Sequence, residues 1–217
     1  SISGNKTTLA GLNTASTDAV TMTVTDAVTV AEFNTLDGKT SVGVILTGGV
    51  SDAAAAYAST TGTATSGRTA IAAQDGDAAL TVTDAATVAQ ANSVATATIG
   101  TVQFSGGITD SADALGADGN LTSGYNAARA DDSDVNVINN DTPTIAELNA
   151  IAGGTTGTTT AAVSGNKADL ATLTTASTSH RSNYGLTDTN NFLGILHTVL
   201  KVHSNLGAEF SRGKLDA

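Results

Sequence analysis

Apolar and polar residues follow two rhythms along this chain. Met22-Thr-Val-Thr25, Leu80-Thr-Val-Thr83 and Val135-Asn-Val-Ile138 alternate with a period of two, the pattern of a β-strand with one buried face. A few residues later the spacing changes to three: Val30, Phe33, Leu36; Val88, Ala91, Val94; Ile145, Leu148, Ile151. That spacing predicts a short amphipathic helix. Each helix is announced by the same device, Thr29-Val-Ala-Glu32, Thr87-Val-Ala-Gln90 and Thr144-Ile-Ala-Glu147. In such a capping box the Thr hydroxyl accepts from an amide of the first turn while the Glu or Gln reaches back to the cap amide. Pro143, just before the third box, suits a turn that enters a helix.

A second strand is predicted at 42–46, 101–104 and 160–163, followed by a glycine corner at Gly48-Gly49, Gly106-Gly107 and Gly165. Ser51 and Thr109 then stand where N-caps of a second helix are expected, before SDAAAAYA and TDSADALG, with NKADLATL as the third version.

These elements recur. Residues 22–58, 80–116 and 137–173 align; Asp26, Asp84 and Asp141 are 58 and 57 apart, and Gly49, Gly107 and Gly165 are 58 and 58 apart. Within a unit the motif repeats again, because Asp26 to Asp52 and Asp84 to Asp110 are both 26 residues. The expected fold is therefore α/β: a tandem-repeat solenoid of β-α-β-α units with parallel strands joined by right-handed crossovers. A β-solenoid and a single mixed α/β domain are the alternatives. The expected organisation is a repeat array over 1–178 (half unit 1–21, units 22–79, 80–136 and 137–178) and a divergent segment over 179–217.

The ends differ from the middle. Residues 3–17 match 164–178 at 11 of 15 positions, so the array is expected to open on a second-half strand and helix. After Thr178 a fourth unit starts at Gly185-Leu-Thr-Asp188 and diverges, leading to Phe192, Ile195, Leu196, Val199, Leu200, His203 and Leu206 at helical spacing. That helix is expected to cap the last repeat or to dock another subunit. Head-to-tail contacts between copies that do not close a ring would give filaments.

Composition narrows the function. Of 217 residues 40% are hydrophobic but only 3% aromatic, so the core is built from Ala, Val, Leu and Ile, as thin regular layers require. The net charge of −11 argues against nucleic acid and anionic membranes as partners. Four of the nine basic residues, Arg181, Lys201, Arg212 and Lys214, fall after Thr178. Without Cys there is neither a disulfide framework nor a thiolate metal site. No apolar run is long enough to span a bilayer, so membrane insertion is not expected.

VTDAATVAQANSV, GTVQFSGGITDSADAL and TVAEFNTLDGKT resemble repeats of very large Ala/Thr/Gly/Asp-rich surface and secreted proteins of cyanobacteria and marine proteobacteria. The resemblance covers 1–178 and implies an extracellular or cell-surface location, an S-layer-like or adhesive role, and in some members calcium-binding modules. Similar arrays occur in phage fibres.

Calcium is the cation the residues suit best. Asp75-Gly-Asp77 and Asp131-Asp-Ser-Asp134 (Asp131, Asp132, Asp134) precede the first strands of units two and three, with Asn139, Asn140, Asp141, Asp118 and Asn120 nearby. Clustered carboxylates in turns fit a hard cation, although neither an EF-hand loop nor a GGxGxD nonapeptide is present. His180, His197 and His203 lack the spacing of a helical metal site. No nucleophile elbow, phosphate loop or dinucleotide fingerprint occurs, and no catalytic role is expected. The leading expectation is a structural subunit of a filament, sheath or surface layer. The alternative is an adhesin or phage-fibre module that binds cell-surface glycans, which the scarcity of aromatics disfavours.

Overall fold

The computed structural model describes residues 1–164 and 167–174. It is α/β, and its strands form three short sheets. The first contains β1 (Ile2–Gly4), β2 (Met22–Val24) and β3 (Val44–Leu46); the second β4 (Val50–Asp52), β5 (Leu80–Val82) and β6 (Val102–Phe104); the third β7 (Ile108–Asp110), β8 (Val137–Asn139) and β9 (Thr159–Thr160). Every pairing is parallel and in sequence order, as the strand–helix alternation predicts.

Between the strands lie α1 (Lys6–Ala10), α2 (Val30–Asp37), α3 (Ala54–Tyr57), α4 (Ser66–Gln74), α5 (Val88–Ala95), α6 (Ala112–Gly116), α7 (Ser123–Asp131), α8 (Ile145–Gly153) and α9 (Lys167–Leu170). Strand β1 and helix α1 lie within residues 1–21, ahead of β2. All three capping boxes form, with Glu32, Gln90 and Glu147 bonding back to the cap amides. Helices pack on helices of neighbouring steps: α2 on α4, α3 on α5, α5 on α7 and α6 on α8.

The alternation reads directly onto burial. Met22, Val24, Val44, Leu80, Val82, Val102, Ile108 and Val137 are buried, while the middle residues Ile45, Gln103 and Ile138 face outward. Phe33, Leu36, Ala91, Val94, Leu148 and Ile151 fill the space between sheet and helices. Ile145 is only partly buried, against Leu148, Ala161 and Val163.

Two features of the unit differ from the β-α-β-α expectation. Residues 50–52 and 108–110 are strands, so Ser51 and Thr109 are ladder residues rather than N-caps. The glycine pairs turn the chain through a corner from one strand directly into another, with Gly49 and Gly107 at φ +72° and +78°. Val50 and Ile108 then start a new sheet instead of a helix. The second difference is an extra helix per unit, α4 and α7. Their N-caps Thr65 and Thr122 are followed at N3 by Arg68 and Tyr125, so no capping box marks them. The unit is thus β-α-β-β-α-α.

Strand bounds also shift. The second strands begin at Val44 and Val102, and the third is Thr159–Thr160; the first strand of unit three is Val137–Asn139. Gly165 lies outside the described residues, as does everything after Thr174, including His180, His197, His203, Phe192, Ile195, Leu196, Val199, Leu200 and Leu206. Among the described residues no helix is long and apolar enough to cross a membrane.

Candidate functional site

The repeated aspartates form a connected series between successive steps. Each accepts a hydrogen bond from the first helical amide of the preceding step: Lys6 N to Asp26 Oδ1 at 2.7 Å, Val30 N to Asp52 Oδ2 at 3.0 Å, and Ala54 N to Asp84 Oδ1 at 2.6 Å. Val88 N to Asp110 Oδ2 and Ala112 N to Asp141 Oδ1 follow, both at 2.9 Å. A helix N-terminus presents unsatisfied amides and a partial positive charge, so a carboxylate there is held electrostatically as well as by the bond. The sequence marks these aspartates by their period. It does not say that they serve a helix 20 to 30 residues upstream.

The capping-box residues reinforce the same junctions. Gln90 is buried and donates through Nε2 to Ala58 O at 2.9 Å while its Oε1 accepts from Thr87 N. Glu32 bonds Thr29 N and pairs with Lys6 at 2.9 Å. The Lys6 ammonium, with the Thr29 amide, holds the Glu32 carboxyl below its ordinary range.

The acidic clusters expected to bind calcium occupy two equivalent recesses. One, of about 240 Å³, is lined by Ile45, Leu46, Thr47, Asp75, Asp77, Ala78 and Ala79. The other, of about 170 Å³, is lined by Gln103, Phe104, Ser105, Asp132, Asp134, Val135 and Asn136. Asp75 Oδ2 accepts from Leu46 N at 2.5 Å and Asp132 Oδ2 from Phe104 N at 2.6 Å. Those amides lie on the outer edges of β3 and β6, where the next strand has turned away, so each carboxylate terminates a sheet edge.

Burial raises the Asp75 and Asp132 carboxyls, and the adjacent Asp77 and Asp134 carboxylates add to the rise. Asp77 and Asp134 are exposed. Asp131 is the exposed last residue of α7 and does not line the recess. Asp141 and Asn139 belong to the helix-capping series and its strand: Asn139 Oδ1 accepts from Asp141 N at 2.9 Å. Asp118 and Asn120 sit in an exposed 3-10 turn at Ala117–Gly119 and just after it. Among the described residues no three acidic or histidine side chains converge on one point.

Compared with protein-family models, with curated proteins and with solved structures, the chain has no significant match in any of the three.

Proposed function

We propose that the chain is an extracellular structural repeat protein, a solenoid that serves as a subunit of a filament, sheath or surface layer and assembles through its ends. The observation that carries this reading is the series of five aspartate-to-helix bonds, one at each successive step from Asp26 to Asp141. The repeating polar residues are committed to joining one step to the next, which is what an extensible scaffold demands. Nothing comparable converges toward a reaction centre among the described residues.

The glycan-binding alternative loses support from burial. Tyr57 and Tyr125 are both fully buried, as are Phe33 and Phe104, so none of these rings is offered to a sugar. Electron microscopy of native material tests the reading. Ordered end-to-end polymers or lattices are the expected result; dispersed single particles at all concentrations would sink it.

We also propose calcium as the ion that settles on the Asp75/Asp77 and Asp132/Asp134 pairs. The buried Asp75 and Asp132 carboxyls, raised further by the carboxylates of Asp77 and Asp134 beside them, are relieved by a cation, and neighbouring main-chain carbonyls and water can complete a flexible oxygen shell. Calcium at neutral pH is then expected to raise the melting temperature of the wild type but not of a D77N/D134N variant. Equal responses would remove these pairs as the site.

A further inference from the structure

The inner face of the third sheet breaks the pattern of the other two. Strand β8 ends on Asn139 where β2 and β5 end on Val24 and Val82. Strand β9 begins on Thr159 where β3 and β6 begin on Val44 and Val102, and Ala161 follows in place of Leu46 and Phe104. These polar positions are as deep as the apolar ones they replace: Asn139 is 5% exposed and Thr159 0%.

The parallel register sets Thr159 beside Val137 and Thr160 beside Ile138, so its continuation puts Ala161 beside Asn139. Asn139 and Thr159 are diagonal neighbours on one face, one strand across and two residues along, with Cα atoms roughly 8 Å apart. The Asn139 amide cannot turn over, because its Oδ1 accepts from Asp141 N at 2.9 Å. Its Nδ2 is buried, as is Thr159 Oγ1, and among the described residues neither meets a hydrogen-bond partner. Two such groups left unpaired in an interior are costly.

The apolar core divides at the same place. One cluster runs from Leu9 through Val137 and Ile151, while Leu148, Ala161 and Val163 form a separate one. Ala161 is three carbons smaller than Leu46 and a ring smaller than Phe104, a larger difference than the roughly 30 Å³ that one water occupies.

We infer that the third sheet encloses a water-binding site between Asn139 Nδ2 and Thr159 Oγ1, beside Ala161. The water accepts from the Asn139 amide and shares a hydrogen bond with the Thr159 hydroxyl. Buried waters of this kind join two to four polar groups and act as part of the structure. At the equivalent positions of the first two sheets Val24, Val44, Val82 and Val102 offer no polar side-chain atom, so those strands meet there by apolar contact. Strands β8 and β9 are joined on that face through water.

The experiment uses the full chain and two readouts. Thr159→Val keeps the side-chain shape, exchanges the hydroxyl for a methyl and supplies the residue that stands at 44 and 102. With a water to satisfy, it is expected to lower the melting temperature by about 2–4 °C, the loss of one buried hydrogen bond in a chain of this size. With no water there, the same change removes an unpaired hydroxyl from the core and raises it. Water-selective NOE spectroscopy of the wild type should show a cross-peak between water and the Asn139 side-chain amide, weakened in Thr159→Val. Circular dichroism checks that the variant keeps its fold, and the wild-type cross-peak decides the matter if it does not. An unchanged or higher melting temperature in a folded variant overturns the site, and so does an Asn139 amide without a water cross-peak.

Discussion

The Asp84 carboxylate lies 2.6 Å from the amide of Ala54, 30 residues upstream, and caps α3 from the next step along the chain. Helix α3 needs it. Its own N-cap is Ala53, whose side chain cannot accept a hydrogen bond. Thr-to-Asp spacing within a strand thus becomes a tie between two steps. Replacing Asp84 by Ala is expected to cost about 1–2 kcal/mol, the range for losing a charged cap. Asn retains an acceptor and should cost about half as much. Urea unfolding checks both, with Asp113→Ala as a control in the first turn of α6.

The two buried tyrosines should respond differently to loss of their hydroxyls. Tyr57 donates to Val50 O or Thr81 O, each at 3.1 Å, and so links two neighbouring strands. Tyr125 is equally buried, but among the described residues its hydroxyl has no hydrogen-bond partner. Tyr57→Phe is expected to cost about 1 kcal/mol, the net worth of a buried hydrogen bond, and Tyr125→Phe to be neutral or stabilising. Equal losses in the two variants would contradict this.

Glycines divide by what surrounds them. A Cβ at Gly106 would lie 2.0 Å from the Asp84 carbonyl carbon, where two backbones cross. Gly106→Ala is expected to destabilise by about 3 kcal/mol or more, because backbone on both sides prevents relaxation. A Cβ at Gly153, the last residue of α8, meets nothing within 4 Å. Gly153→Ala should stabilise by about 0.5–1 kcal/mol by restricting the unfolded chain. Denaturant midpoints measured side by side decide the contrast.

The paired carboxylates set an acid-side pH dependence. Burial first, and the neighbouring Asp77 and Asp134 carboxylates in addition, raise Asp75 and Asp132 above the unfolded value, so the native state holds protons that the unfolded state releases. The associated stability is complete below the unfolded aspartate range and is lost as pH rises through the raised values. Asp75→Asn and Asp132→Asn keep an acceptor for Leu46 N and Phe104 N while removing the repulsion. Both are expected to raise the melting temperature at pH 7 and to flatten its dependence on pH across the mildly acidic range. A variant that melts lower at pH 7 would show the charged form to be the favoured one.

Much of the fold was legible because period is a local property. Alternation at Met22–Val24 and Leu80–Val82, three-residue spacing at Val30–Leu36, and Thr-x-x-Glu/Gln boxes each fix a backbone conformation from neighbours in the chain. The parallel order of the strands follows from their alternation with helices. What lacked a local signature was missed. Helices α4 and α7 begin with Thr65 and Thr122 and no boxed partner, and strands β4 (Val50-Ser-Asp52) and β7 (Ile108-Thr-Asp110) each carry a single apolar residue, so they show no alternation.

The aspartates mark the same boundary between chain and fold. Their recurrence, and the adjacency of Asp75 to Asp77 and Asp132 to Asp134, belong to the sequence alone. Which amide each carboxylate meets was decided by stacking, because a helix N-terminus and a sheet edge acquire their orphan donors only when the next step lies against them. A hydrogen bond across 20 to 30 residues depends on the height of one step over another, and that height is set by packed side chains, not by distance along the chain.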